Sequence, residues 1–330
     1  MKKAYIYINY PNIVVLSVYL EVIEEALTRM GYSCEYIRDL KGISKKDLIV
    51  FPMGKDAFKN YCKGYRNFIL WQQGATGVES FMRHHSKIRR SVLNCMDCFA
   101  MKKAKMIFFV SSYMQEYYEK LARTSFCHKV YVMPCFNEAF DEEIIKKKDY
   151  TRKTFAYVGS LDLWQCFQET AGLYAEIEKR IPNTFFKVLT FDTQKAEEII
   201  RHYDIKNYSV ARVPKEQVRE QLKDVTYGFL IRHDIDVNRV ATPTKLSSYL
   251  SAGVLPIYSP CLRDFHAQAD GKSFAYAFHA EADTGELISS ICKEIDKSTV
   301  YCEIKDLFQA YYSKPFHISN VMKLMENCLK

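Results

Sequence analysis

Hydrophobic and polar positions in the first half of the chain follow two periods in turn. Short apolar runs, typical of buried strands, predict strands at 4–8, 47–51, 67–71, 106–110 and 130–133. Apolar residues between them recur about every 3.6 positions and predict helices at 13–30, 79–103 and 112–123. This alternation of strands and helices is typical of a parallel sheet covered by helices.

A second alternating series follows a charged stretch at 136–153 that has few core-forming residues. Its strands are predicted at 155–158, 185–189, 208–210, 227–231 and 255–258, and its helices at 165–180, 194–203, 215–223 and 243–251. The segment 280–330 reads as mostly helical, with a break at Pro315. We therefore expect an α/β fold with two Rossmann-like domains, 1–150 and 151–330, that face a cleft and end in a helical tail.

The composition narrows the class of protein. Of 330 residues 48% are hydrophobic and 26% charged, which excludes a disordered or fibrous chain. The 11 cysteines lack the regular spacing of a disulfide framework, so we expect reduced thiols in the cytoplasm. The first ten residues resemble a strand rather than a signal peptide, and the longest apolar stretch, 13–23, is too short to cross a bilayer.

The net charge of +8 (47 − 39) is concentrated in two segments, 55–66 and 83–105. The second contains seven Lys or Arg and one acid, Asp97. In and just before it, apolar residues recur at helical spacing, so that one helix face is apolar and the other basic: Phe81, Ile88, Val92, Met96 and Phe99. Such a helix either lies on anionic lipid headgroups or covers a core.

The segment 227–259 contains the clearest candidate chemistry. A buried strand ends at Arg232, and a helix is predicted to begin with Thr242 as its N-cap and Pro243 in its first turn. The free N–H groups of that helix end and Lys245 beside them favour an anion, which Arg232 could contact from the other side. This arrangement suits a diphosphate, although Thr-Pro-Thr-Lys is also typical of an ordinary capped helix start.

The same segment resembles the donor-nucleotide segment of the GT-B glycosyltransferases, in particular the retaining family 4 enzymes of bacterial polysaccharide synthesis. The resemblance rests on the pattern P-T-K-x-x-x-Y-L-x-x-G, formed by Pro243, Thr244, Lys245, Tyr249, Leu250 and Gly253. Other pieces resemble the family in the same order: a strand followed by Gly159, the W-Q-C at 164–166, the loop at 213–218 and the Q-G segment at 73–80.

The resemblance implies roles for individual residues. Those implied for donor binding are Gly159, Ser160, Trp164, Gln165, Val213, Pro214, Val218, Asn238, Thr242, Pro243, Thr244 and Ser248. Gln73 and Gly74 are implied on the acceptor side, where Glu79 or His84 would orient the acceptor hydroxyl. A second interpretation, equally consistent with the sequence, places His84 on a solvated helix face with no functional role.

Three positions depart from the family pattern. Ser248 stands where the family has a ribose-binding Glu, and Val240 stands where its partner acid would be. Residues 9–12 replace a glycine-rich loop after the first strand. The paired-acid motif is therefore absent, which leaves the donor sugar open.

The implied activity is transfer of a sugar from a nucleotide-diphosphate sugar to a saccharide acceptor of capsule or lipopolysaccharide. In the family this proceeds with retention and without a metal cofactor, and the acceptor is lipid-linked, which would give the basic helix a membrane contact at the inner face. Negative charge builds on the departing phosphate oxygen, so Arg232 and Lys245 are the expected stabilising groups.

Two alternatives compete with this interpretation. Asp234 and Asp236 form a D-x-D that could ligate Mn²⁺ or Mg²⁺ in a single-domain GT-A transferase. The aromatic and basic residues between 55 and 105 could instead serve a non-catalytic nucleic-acid binder, although the modest charge and the lack of a known binding motif argue against nucleic acid. The C-x-x-C at 95–98 lacks a second ligand pair, so no zinc site is expected there.

Overall fold

The structure is a computed structural model that describes residues 2–8, 17–279 and 284–329. The elements of the first half are β1 Lys2–Tyr7, α1 Ser17–Arg29, β2 Tyr32–Ile37, β3 Leu48–Phe51, α2 Gly54–Cys62, β4 Phe68–Gln72, α3 Thr76–His84, α4 Lys87–Lys103, β5 Met106–Phe109, α5 Ser112–Ala122 and β6 Val130–Val132. Those of the second half are α6 Glu142–Lys147, β7 Thr154–Val158, α7 Phe167–Arg180, β8 Phe185–Leu189, α8 Thr193–His202, β9 Tyr208–Ala211, α9 Lys215–Gln221, β10 Tyr227–Leu230, α10 Asp236–Arg239, α11 Lys245–Ser251, β11 Leu255–Tyr258, α12 Arg263–Ala269, β12 Tyr276–Ala277, α13 Thr284–Ile291, α14 Lys297–Ala310 and α15 Lys314–Cys328.

The chain forms two compact units that are not continuous in sequence. Unit 1 comprises Met1–Asn137, Arg239–Thr242 and Ser313–Lys330, and unit 2 comprises Glu138–Asn238 and Pro243–Tyr312. The last helix, α15, packs on α1 and so belongs to unit 1. A single boundary between residues 150 and 151 stays a prediction.

Unit 1 is built on a parallel sheet of order β2-β1-β3-β4-β5-β6. Its central strands β3, β4 and β5 are buried along their whole length, which explains why they read as continuous apolar runs rather than alternating ones. Trp71 of β4 stacks on Tyr19 of α1 with ring centroids 4.1 Å apart. The helix is thereby fixed on the sheet.

Unit 2 is built on a parallel sheet of order β12-β11-β10-β7-β8-β9. From β7 and β10, which are neighbours, the chain proceeds to opposite edges of the sheet. Tyr249 of α11 packs against Gly228 of β10, where a Cβ atom would lie 2.6 Å from the ring. Its hydroxyl accepts from the Val158 amide at 3.2 Å and donates to the Phe229 carbonyl at 3.3 Å. Tyr249 therefore fixes α11 over the point where the sheet order reverses.

The structure corrects several predicted elements. The helix expected at 79–103 is two helices, because His85 takes a left-handed conformation (φ +52°) and Ser86 caps α4 through the Arg89 amide. Strand β2 was not predicted, since it lies at the sheet edge and none of its residues is buried. Helix α2 was not predicted because its sequence is largely polar. The break expected at Pro315 is the start of α15.

Parts of three expectations lie outside the described residues: the loop at 9–12, the start of the first helix at 13–16 and the start of the tail at 280–283. No helix within the described ranges combines the length and the apolar character that crossing a bilayer requires. All 11 cysteines are free thiols in the described residues, and their reduced state in the cell stays a prediction.

Candidate functional site

A polar site of unit 2 lies at the C-terminal ends of β7 and β10. In open α/β sheets, ligands bind outside the carboxyl ends of the strands where the strand order reverses, which in this sheet is between these two strands. Gly159 directly follows β7, Arg232 follows β10, and Lys245 begins α11. The strand and helix predicted from the sequence thus bring both cations to the same place.

Arg232 and Lys245 converge on one neutral side chain, Gln165. The guanidinium of Arg232 donates to the Gln165 carbonyl oxygen at 2.7 Å and also to its Oε1. Lys245 Nζ donates to the same Oε1 at 2.6 Å and lies 4.8 Å from the centre of the Tyr157 ring. The donor-binding role of Gln165 stays a prediction, and what the structure shows is that Gln165 accepts hydrogen bonds from both cations.

Gly159 is needed for this arrangement. Its φ of +132° is one that L side chains rarely adopt, and a Cβ atom there would lie 2.7 Å from Lys245 Nζ. The ammonium group therefore rests directly on the backbone of the loop after β7.

The site has an excess of positive charge. Among the described residues, the atoms that accept hydrogen bonds from Arg232 and Lys245 are all oxygens of neutral groups. Burial, followed by the charge of Arg232, lowers the pKa of Lys245 well below its ordinary value, and the exposed Asp162 offsets only part of this. Burial also lowers the pKa of Arg232, which is 4% exposed. A buried and a half-buried cation that share neutral partners favour an anion between or beside them.

The predicted N-cap role of Thr242 is wrong. Helix α11 begins at Lys245, and Thr244 before it already has helical angles (φ −58°, ψ −22°). The hydroxyl of Thr242 instead belongs to unit 1, where it donates to the Val110 carbonyl at 3.1 Å and accepts from the Cys135 amide at 3.0 Å. With only seven residues, α11 contributes little as a helix end, so the two cations dominate the site.

The remaining residues predicted for donor binding differ in their burial and in their contacts. Asn238 is buried and donates to the His233 carbonyl at 2.9 Å, and Val218 packs against a hydrophobic cluster. Ser248 bonds within its own helix to the Thr244 carbonyl at 3.3 Å. Trp164 lies within a short 3-10 helix, Leu163–Gln165, and three others lie in loops: Ser160, Val213 and Pro214. The donor contacts of all four stay predictions.

In unit 1, Glu79 and His84 line one cavity of about 420 Å³ at the C-terminal ends of β3 and β4. Its wall also contains Met53, Lys55, Lys59, Thr76, Ser80, Arg83, Arg89, Leu93 and Met96. The residues expected on the acceptor side lie close by. A Cβ atom on Gly74 would meet Glu79 Oε1 at 2.2 Å, and Gln73 donates to the Pro52 carbonyl at 3.1 Å.

A buried acid in unit 1, Asp97, was not predicted as a functional residue. Its Oδ2 accepts from the Tyr118 hydroxyl at 3.1 Å and from Gln72 Nε2 at 3.3 Å, while Oδ1 finds no hydrogen-bond partner among the described atoms. Burial raises its pKa to about 7. The Gln72 amide and the Tyr118 hydroxyl also donate to the Gly74 carbonyl, so Asp97 supports the loop on which Glu79 rests. The sequence signal was a lone acid in a basic helix.

One group of potential metal ligands adjoins the site, since Cys166 follows Gln165 and His233 follows Arg232 in the chain. The D-x-D acids lie beyond Arg232, where Asp236 begins α10. Within the described part of the chain, one group of three could ligate a metal: Cys166, Glu169 and His233, whose ligand atoms lie within 4.8 Å of one another. The absence of a required metal stays a prediction.

This chain is similar to known proteins in its fold. No family model matches the chain, and no curated protein matches it significantly. Among solved structures, it is similar to a sucrose-phosphate synthase from Thermosynechococcus elongatus (TM-score 0.72, 12% identity, 100% of this chain and 99% of the other). It is also similar to Anabaena HepE solved with UDP and glucose (0.69, 9%, 99% of each chain) and to the lipopolysaccharide outer core galactosyltransferase WaaB (0.61, 14%, 100% and 99%).

These likenesses and the two parallel six-stranded sheets confirm the predicted fold class, the α/β fold of GT-B glycosyltransferases. The single-domain GT-A alternative is wrong, because the chain builds two separate parallel sheets with their own helices.

Proposed function

We propose that this protein is a glycosyltransferase that moves a sugar from a nucleotide-diphosphate sugar to a saccharide acceptor. The observation that carries the proposal is the pair of cations, buried Arg232 and half-buried Lys245, which converge on Gln165 where the unit 2 sheet order reverses. The fold shared with sugar-transferring enzymes supports it, as does the sequence resemblance to retaining family 4.

The chemistry follows from the charge at this site. When the bond between the sugar and the diphosphate breaks, negative charge grows on the leaving oxygen. Arg232 and Lys245 are fixed at a buried and a half-buried position, so they stabilise that charge without first reorganising water. We propose that they take the role that a divalent cation has in metal-dependent transferases, with transfer proceeding with retention at the sugar.

The acceptor is proposed to bind in the unit 1 cavity. Glu79 is half-buried there, rests on Gly74 and shares the wall with His84, so that either side chain could accept a hydrogen bond from a sugar hydroxyl. By family resemblance the acceptor is a lipid-linked saccharide of a surface polysaccharide.

A thermal-shift panel tests the donor site. UDP, GDP, CDP and ADP and their sugar conjugates are each added with EDTA, with Mg²⁺ and with Mn²⁺. A ligand at one hundred times its Kd stabilises the native state by about 2.7 kcal/mol, which shifts the melting temperature measurably. One nucleotide that stabilises in EDTA supports the proposal and identifies the base. Stabilisation by none of them, or only with metal, would contradict it.

We also propose a peripheral contact between unit 1 and anionic membranes at the cytoplasmic face. Ile88 and Val92 of α4 are 80% and 52% exposed, and the exposed cations Lys87 and Arg89 flank them. Apolar side chains among cations are typical of helices that insert shallowly into anionic bilayers.

Sedimentation with anionic and neutral liposomes tests this contact. Ile88→Ser/Val92→Ser should lose binding to anionic vesicles, and Leu121→Ser, at another exposed apolar position in unit 1, should keep it. Equal binding by all three proteins, or none by the unaltered protein at low salt, would overturn the contact.

A further inference from the structure

The cavity of unit 1 has an unusual combination of lining groups. Four side chains that are cationic at neutral pH face it, Lys55 and Lys59 from α2, Arg83 from α3 and Arg89 from α4. Glu79 is the acid among the lining residues, so the Lys, Arg and Glu side chains of the wall sum to a charge of +3 (4 − 1). That concentration of charge exceeds what orienting a neutral sugar requires.

The cations come from three separate helices, which gives the site its shape. Residues of α2 approach from one side, and the end of α3 and the start of α4 from another, because His85 turns the chain sharply between the latter two. Arg89 Nε donates to Ser80 Oγ at 2.8 Å, which fixes its guanidinium across the α3–α4 junction. Arginine held in one orientation presents paired N–H groups that match a phosphate.

Part of the wall is apolar. Met53, Leu93 and Met96 line the same cavity, and Leu93 and Met96 follow Arg89 along α4. The helix continues this apolar character outward through Val92 and Ile88, which are strongly exposed. A ligand that joins an anionic group to a hydrocarbon chain would satisfy both parts of the surface.

We infer that the unit 1 cavity binds a phosphoryl group of the acceptor, a phosphate ester or diphosphate, through Lys55, Lys59, Arg83 and Arg89. The inference rests on the proposed function only in naming this ligand as the acceptor. The phosphoryl group comes either from a prenyl diphosphate lipid or from a free sugar phosphate, and the apolar wall favours the lipid.

Isothermal titration of the full chain tests the site, with geranyl diphosphate as the lipid probe, glucose 1-phosphate as the sugar phosphate and octyl glucoside as a neutral amphiphile. The nucleotide that stabilises most is present in excess, so that the unit 2 cations are occupied. If no nucleotide stabilises, the donor proposal fails separately, and Lys245→Met provides a chain without the unit 2 anion site. The cavity is then tested in that background.

The cavity variant is Lys55→Gln/Arg83→Gln, and its matched control is Lys120→Gln/Lys195→Gln, which removes the same charge at exposed positions outside the cavity. The cavity variant should weaken binding of geranyl diphosphate by about tenfold to a hundredfold, the effect of losing charge-assisted hydrogen bonds. The control should change it by less than about twofold, because exposed charges at a distance are screened.

Tighter binding of geranyl diphosphate than of glucose 1-phosphate supports the lipid source, and equal binding supports the sugar phosphate. Equal affinities in the cavity and control variants, or binding of octyl glucoside as tight as that of the phosphates, would overturn the inference. If the double variant does not fold, Lys59→Gln replaces it, since Lys59 is exposed and its loss leaves the core intact.

Discussion

Unit 2 contains a buried lysine, Lys148, and a half-buried one, Lys245, with opposite surroundings. Lys148 Nζ donates to the carbonyl oxygens of Leu222 and Ala252 at 2.8 and 2.9 Å, just after the ends of α9 and α11. Lys245 Nζ donates to Gln165 Oε1, an atom that Arg232 also uses. Burial lowers the pKa of both ammonium groups, that of Lys148 to about 7.

The difference shows that burial of a charge does not by itself indicate a functional site. The ammonium of Lys148 donates to backbone carbonyls that would otherwise lack a hydrogen-bond donor. In unit 1 the ammonium of Lys129 likewise donates to three carbonyls, those of Met101, Lys102 and Ala104. The ammonium of Lys245 competes with a second cation for one amide oxygen. A lysine of the first kind stabilises the fold, whereas one of the second kind favours a ligand.

The largest expected effect is on turnover in Lys245→Met. Loss of a cation that stabilises the leaving group should lower kcat by about 10²- to 10³-fold. The free energy of unfolding without ligand should not fall, because a half-buried charge with a shared partner is replaced by an apolar side chain of similar length. Steady-state kinetics and urea unfolding measure the two quantities. Near-normal turnover, or a marked loss of stability, would remove the distinction between the two lysines.

The same substitution at Lys148 should give the reverse pattern. Lys148→Met leaves two buried carbonyls without their donor, which costs about 3 kcal/mol of unfolding free energy. Turnover per folded molecule should stay unchanged, since Lys148 is a capping residue outside the site. Urea unfolding together with activity normalised to the folded fraction tests this, and a stability equal to that of the unaltered protein would count against the capping role.

The contacts of the candidate site could be predicted from the sequence only where the contacting residues are close together in the chain. Arg232 and Lys245 were identified because a strand end and the next helix start are close in sequence, and their chemistry is visible in the residue types. Their shared partner, Gln165, is 80 residues before Lys245, and no periodicity reports such a contact. The family resemblance named Gln165, but only the structure shows that it receives both cations.

The errors have equally local causes. Thr242 has the residue type of an N-cap, but its hydroxyl is bonded to two backbone groups that lie more than 100 residues away in the chain. The helix predicted at 79–103 kept its apolar periodicity across His85, so the break was hidden in the pattern. Asp97 was noted only as the one acid of a basic segment, whereas the structure buries it fully.

Asp97 extends the comparison to an acid, and its expected effect is the smallest of the three. Burial raises its pKa from 3.8 to about 7, above the unfolded value. Its contribution to stability is therefore fully present below about pH 4 and is lost as the pH rises through about 7, with a slope of at most about 1.4 kcal/mol per pH unit.

Asp97→Asn keeps an oxygen for the hydroxyl of Tyr118 and the amide of Gln72 but cannot ionise. The unfolding free energy of this variant is measured in urea from pH 4 to 8. It should rise relative to that of the unaltered protein up to about pH 7, and above that pH the difference should stay constant. A constant difference between the two proteins over the whole pH range would contradict this prediction. It would mean that the Asp97 carboxyl is already ionised in the folded state at low pH, with its Oδ1 buried and unpartnered.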